Sequence, residues 1–265
     1  MAADSEQSLI KYPLMRVFFV ALLFCSNTLN AAEIRVAVAS NFRYTLQKLA
    51  LDFKEKTGHV LHISAGSSGK LYAQIKYGAP FDVFLSADER RADLLVDEDI
   101  ATRESAYIYA RGKLVLLSNI KTEGDCKAIL SSERLHKLAI ANPGIAPYGL
   151  AARQVLEALD LWDRLRPRLV MGENVAQAMQ FVSTQNAEAG FVAEALLYAA
   201  GSTSGQADTD SCLWYVPPDM YSAINQKMVV INKAKKKLPV LAFTRYMQSA
   251  GAKEIIRASG YNVLH

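Results

Sequence analysis

From Glu33 onward, the apolar positions fall into short dense runs separated by stretches at helical spacing. Ile34-Arg35-Val36-Ala37-Val38 predicts a strand. Phe42, Leu46, Leu49, Ala50 and Phe53 follow at the three- and four-residue intervals of one helix face, and Gly58 marks the end of that helix. Val60 to Ser64 predicts a second strand. Leu71 and Ile75 belong to a short helix closed by Gly78, and Phe81-Asp82-Val83-Phe84-Leu85 predicts a third strand. The pattern then restarts. Lys113 to Leu117, Leu138 to Ala141, Ala189 to Val192 and Met228 to Ile231 read as strands. Ala151, Val155, Leu156 and Leu159 mark one helix, and Val175, Ala178, Met179 and Val182 mark another. A last helical pattern runs to about Ser259, and Gly201 to Ser211 is a polar, Gly- and Ser-rich loop. Strands alternating with helices imply right-handed βαβ units around mainly parallel sheets. The 265 residues suit two domains of moderate size.

Four segments share one design, in which a strand leads through small or polar residues into a helix start. They are Ala39-Ser40-Asn41, Ser67-Ser68-Gly69, Pro147-Tyr148-Gly149 and Glu173-Asn174-Val175. The first N–H groups of a helix have no acceptor within it and carry the positive end of its dipole. Such ends take up anions without a cationic side chain. Ser40, Ser67 and Ser68 add hydroxyl donors and Asn41 an amide. Any one of the four is equally an ordinary N-cap, since Ser and Asn are preferred there. Two in each half of the chain point towards an anion-binding cleft, because loops at the carboxyl ends of parallel strands converge.

Composition narrows the reading. A net charge of +4, with 30 Lys and Arg against 26 Asp and Glu, is no nucleic-acid-binding composition. The one basic cluster, Lys233 and Lys235 to Lys237, reads as a solvated turn or helix start. Near the N-terminus, Val17 to Phe24 is an unbroken apolar run preceded by Lys11 and Arg16 and followed by Asn30-Ala31-Ala32. That is the layout of a secretory signal, expected to occupy residues 1–32 with cleavage after 31 or 32. Removal of Cys25 with it leaves Cys126 and Cys212, which either pair or stay as separate thiols. An oxidising compartment favours the pair, which closes a loop of about 86 residues and contributes about 4–5 kcal/mol by the entropy model.

Other chemistries find little support. Gly66-Ser67-Ser68-Gly69-Lys70 has Ser64 and Leu71 where a phosphate loop needs Gly and Ser or Thr. His59 and His62 lie three apart on a strand and so face opposite sides, which argues against a shared metal. No Ser sits in a nucleophile elbow. Asp88 reads as a helix cap and Asp82 as a structural hydrogen-bonder. Tyr107, Tyr109, Tyr215 and Tyr221 do not adjoin in pairs as in a ferric-iron binder.

The segments VAVASNF, GSSGKLYAQIKYGAPFDVFLSAD, NPGIAPYGLAARQVLEAL, GENVAQAMQFV and AGFVA together make the chain resemble the periplasmic molybdate-binding components of ABC transporters, from about Ile34 to Tyr261. The run Gly78-Ala79-Pro80, then Asp82, then Ser86-Ala87-Asp88 is especially similar. The resemblance implies an α/β fold, the type II periplasmic binding protein, with two domains of mainly parallel sheets flanked by helices and hinged by crossover strands. Domain 1 takes residues 33–109 and 222–265, and domain 2 takes 110–221. It implies an oxyanion site in which Ser40 and Ser68 give hydroxyl and backbone N–H groups, Tyr148 and Val175 give backbone N–H groups, and Asn41 takes part. One branch of the family has a Tyr where this chain has Ala193; another carries Asn and Tyr at the positions of Asn41 and Tyr148, as here. The implied protein is a periplasmic monomer with no catalytic residue, no cofactor and no directly ligated metal, since molybdenum arrives as the oxyanion. Its expected partners are molybdate or tungstate and an ABC transporter permease, with no nucleic acid; the alternatives are a receptor for another oxyanion such as sulfate, or an exported enzyme acting on phosphate or sulfate esters.

Overall fold

The structure, a computed structural model, describes residues 31–120, 125–199 and 212–263. The expected signal segment up to Asn30 and the loop from Gly201 to Ser211 lie outside the described residues. In chain order the elements are β1 (Glu33–Ala39), α1 (Arg43–Thr57), β2 (Val60–Gly66), α2 (Ser68–Lys76), β3 (Val83–Ser86), α3 (Glu89–Asp97), β4 (Ala101–Gly112) and β5 (Leu114–Ser118). They continue with β6 (Leu138–Ala141), α4 (Pro147–Ala158), α5 (Trp162–Leu165), β7 (Leu169–Gly172), α6 (Val175–Ser183), β8 (Ala189–Ala193), α7 (Glu194–Ala199), β9 (Cys212–Tyr215), β10 (Ile224–Ile231), α8 (Leu238–Met247) and α9 (Ala250–Ala258).

Two five-stranded sheets organise the chain, in the orders β2-β1-β3-β10-β4 and β7-β6-β8-β5-β9. In the first, β1 runs parallel to β2 and β3, while β10 runs antiparallel to β3 and β4. The second repeats this plan: β6 is parallel to β7 and β8, and β5 is antiparallel to β8 and β9. Each sheet is therefore mixed: parallel where helices connect the strands, antiparallel where the chain joins from the other sheet. That passage occurs twice, at Gly112–Lys113 between β4 and β5, and from Val216 to Ala223 between β9 and β10. The expected division at 109/110 and 221/222 lies close to both passages.

Both faces of each sheet are covered, which is why the strands read as dense apolar runs rather than as clean alternations. On β1, Ile34, Val36 and Val38 meet Phe42, Leu46, Leu49 and Phe53 together with Phe243 and Ile256. Ala37, on the opposite face, meets Leu71, Ile75 and Leu95. In the second sheet Leu114, Leu116, Ile140 and Phe191 pack against Ala152, Val155 and Leu156 of α4, and Val115, Ala139 and Val192 pack against Ala178 and Val182 of α6. The expected last helix is two helices, α8 and α9, because Ser249 restarts the run by capping Ala252 N–H.

Cys126 and Cys212 form a disulfide with their Cα atoms 5.5 Å apart, joining residues 86 positions apart within the second lobe. Asp82 is buried, accepts the Arg35 N–H at 2.8 Å and pairs with Lys237 at 2.8 Å. Lys237 is thus one member of the basic cluster with a structural partner. No helix among the described residues is long and apolar enough to cross a membrane.

Candidate functional site

Between the two sheets lies a small, partly open cavity. Its lining is Ala39, Ser40 and Asn41 after β1, Gly66 to Ser68 after β2, Ala87 after β3, Ala146 to Tyr148 before and within α4, and Asn174-Val175 at the start of α6. All four helix-start segments of the sequence pattern therefore meet in one place, and Ser40, Asn41, Ser68, Tyr148 and Val175 all face it. Topology explains the convergence. Each segment follows the carboxyl end of a parallel strand, and those ends point into the crevice.

Local hydrogen bonding leaves donors aimed inwards. Ser67 caps α2 by accepting Lys70 N–H, which leaves Ser68 at the first helical position. The Ser68 hydroxyl accepts the Ala87 N–H at 2.9 Å, so its own proton remains to donate. Asn174 caps α6 by accepting the N–H groups of Ala176 and Gln177, both at 3.1 Å, which leaves the Val175 N–H outside the cap. Pro147 has no N–H to satisfy at the first turn of α4 and presets its φ, leaving Tyr148 as the first donor of that helix. Gly149 is obligatory here: a Cβ would stand 2.2 Å from the Ala141 carbonyl oxygen, so only glycine lets α4 start this close to the end of β6.

Among the described residues, no charged side chain lines the cavity, and no His, Cys, Asp or Glu does. Among the described residues no cluster of three or more such side chains is placed to hold a metal ion. His62 instead faces Glu33, and His59 accepts the Ala32 N–H. The lining is thus neutral and rich in donors, which suits a small anion.

Behind the cavity lies a buried polar network that the sequence pattern did not single out. Asn41 Nδ2 donates to Gln226 Oε1 and to the Tyr261 hydroxyl, both at 3.0 Å. The Tyr261 hydroxyl donates in turn to the Asn41 carbonyl at 2.8 Å. Tyr109 shares its hydroxyl proton between Gln226 Oε1 at 3.0 Å and the Ser86 carbonyl at 3.1 Å. Gln226 Nε2 donates to the Tyr148 hydroxyl at 3.4 Å. Asn41 was expected to offer its amide to a ligand; here both amide protons are taken up by the network. Burial pushes the hydroxyls of Tyr109, Tyr148 and Tyr261 above the ordinary tyrosine range, so all three stay protonated at neutral pH. A signal for Gln226 did exist. On β10 it alternates with Ile224 and Met228 on the buried face, so a polar side chain had to find partners there.

At the opposite edge the two lobes touch. Gly69 N–H donates to the Ile145 carbonyl at 2.9 Å, an Arg91 guanidinium nitrogen reaches the Gly144 carbonyl at 3.1 Å, and Lys70 pairs with Glu173 at 3.0 Å. Arg91 is held from behind by Asp88, which also caps α3.

The chain matches the family of bacterial extracellular solute-binding proteins over residues 34–262. The molybdate-binding protein ModA of Azotobacter vinelandii is 41% identical over 91% of this chain and 94% of its own length. That of Rhodobacter capsulatus is 39% identical over 87% of this chain and 88% of its own. The solved structure of the Azotobacter vinelandii periplasmic molybdate-binding protein superposes with a TM-score of 0.82 at 37% identity, covering 88% of this chain and all of that one. The paired mixed sheets, the donor-lined cavity between them and this similarity along nearly the whole chain agree: the protein belongs to the bacterial extracellular solute-binding proteins, in the group of the molybdate-binding proteins.

Proposed function

We propose that this protein captures molybdate, and tungstate with it, in the cavity between its lobes and delivers the ion to an ABC transporter permease. The observation that carries this is the neutral, donor-rich lining built from four helix starts. Two N–H-bearing turns from each lobe and the hydroxyls of Ser40 and Ser68 surround a space suited to one small ion. Residues 33–109 with 222–265 act as one lobe and 110–221 as the other, opening and closing about the two passages. The signal segment expected from the sequence supports export of the mature chain to the periplasm, where it works as a monomer without cofactor.

Physical chemistry supports the choice of a fully deprotonated tetrahedral oxyanion. The lining presents helix-start N–H groups and hydroxyls but no carboxylate, so a ligand that also carries a proton meets no ionised acceptor for it. An unmatched buried polar group costs about 1–3 kcal/mol, which disfavours protonated phosphate. Tungstate shares molybdate's shape and charge and fits alike. The reading is a receptor, supported by relatives at 41% and 39% identity that are molybdate-binding proteins.

Thermal unfolding of the mature protein tests it. A ligand at 100 times its Kd stabilises by about 2.7 kcal/mol, a rise of roughly 2–4 °C for a chain of this size. Molybdate and tungstate are expected to give that rise, and sulfate and phosphate are not. Ser40→Ala and Ser68→Ala each weaken molybdate binding by about 1–3 kcal/mol, as for hydrogen bonds to a charged partner. Unchanged affinity in both variants removes these residues from the site.

A further inference from the structure

We propose that Gln226 is a positioning residue that fastens the two halves of the anion site to each other, an inference that rests on the reading of the cavity as the anion site. Gln226 is fully buried on β10, beside the point where the chain passes between lobes. It lines no part of the cavity, yet it bonds to one lining residue from each lobe, Asn41 and Tyr148.

The carboxamide suits this place because its two arms do opposite things. Its oxygen accepts from Asn41 and Tyr109, which fixes the turn after β1 that carries Ser40 to the cavity. Its nitrogen donates to Tyr148, the second residue of α4 in the other lobe. No other uncharged side chain of that length offers both an acceptor and a donor. A carboxylate would lose the donor and set a negative charge behind an anion site. The geometry makes room for the link: a Cβ on Gly112 would fall 2.0 Å from the Tyr148 hydroxyl, so the bare glycine at the passage lets that hydroxyl approach Gln226. At 3.4 Å the bond to Tyr148 is the longest in the network and the one that crosses between lobes. It forms when α4 swings onto the first lobe and is lost when it leaves. Closing on the anion and joining this link are then one event, and the link sets how long the ion is held.

The test is a cycle of Gln226→Met, which keeps length and removes both arms, with Tyr148→Phe, which removes the acceptor across the cleft. Molybdate affinity is measured by titration calorimetry for the wild type, both single variants and the double variant. Each single variant is expected to bind roughly tenfold more weakly. Tyr148→Phe is expected to change affinity little once Gln226 is already Met. If Tyr148→Phe weakens binding by the same factor in both backgrounds, the two side chains act separately and the proposal is overturned. Gln226→Leu replaces the Met variant should that one not fold. A wild-type protein that binds no molybdate defeats the functional reading instead. The cycle is then read with whichever of tungstate, sulfate or phosphate raises the unfolding temperature, where equal losses in both backgrounds again overturn the link.

Discussion

At the outer edge of the cleft the lobes meet through Lys70 and Glu173, 3.0 Å apart with both side chains about half exposed. At its inner end they meet through Gln226 and Tyr148, neutral and fully enclosed. The two contacts span the same gap and differ in how water treats them. An exposed ion pair gives up little on separating, because water solvates each partner, and such pairs typically contribute 0.2–1 kcal/mol. A buried hydroxyl or amide that loses its partner stays costly until something replaces it. The Lys70–Glu173 pair is therefore suited to parting easily, and the inner contact to holding a defined geometry. A receptor that must release its ion on demand needs both properties.

The strongest blow to this comparison falls at the inner end. Gly112→Ala places a methyl group where the Tyr148 hydroxyl now sits. Overpacking of this kind costs about 1–3 kcal/mol. The expected result is a lowered unfolding temperature together with weaker molybdate binding, since Tyr148 leads α4 into the cavity. An affinity equal to wild type would show that the inner contact does not govern binding. Lys70→Ala acts at the outer edge and is expected to weaken binding by at most about 1 kcal/mol. Its effect is expected to vanish in 1 M salt, where screening already removes the pair; a loss that persists at high salt would assign Lys70 a direct role towards the ion. The smallest change is expected from pH. Burial raises the Tyr109, Tyr148 and Tyr261 hydroxyls above the ordinary value near 10. The folded protein thus keeps protons that the unfolded chain gives up. Their contribution to stability is complete below about pH 10 and declines as pH rises beyond it. Between pH 6 and 9 affinity is expected to stay flat, which calorimetry at three pH values checks.

Much of this arrangement was legible in the sequence. Dense apolar runs gave β1, β3, β5 and β8, and helical spacing gave α1, α4 and α6. The four helix starts were visible one by one, though each also read as a plain cap. Only the strand order brought them together, and strand order is a long-range property. β4 was not foreseen, because Thr102, Arg103 and Glu104 interrupt its apolar pattern and its pairing with β10 is irregular in two places. The Lys70–Glu173 contact joins residues 103 apart and leaves no local trace. Gln226 and Tyr261 went unnoticed for another reason. A single polar residue in a strand usually faces water, and only the burial of its neighbours Ile224 and Met228 shows that this one does not.

The bond between Cys126 and Cys212 has a mechanical side. Cys126 stands shortly after the chain has entered the second lobe, and Cys212 begins β9 shortly before it leaves. The 86 positions between them are thereby short-circuited. Tension on the chain at either passage travels through the sulfur atoms and bypasses β6, β7, β8 and the helices among them. In the proposed opening and closing, the second lobe turns on its two passages as a shackled block, with its entry and exit strands β5 and β9 paired side by side. Its half of the cavity lies inside that block, so the proposed motion leaves the mutual spacing of the α4 and α6 donors unchanged.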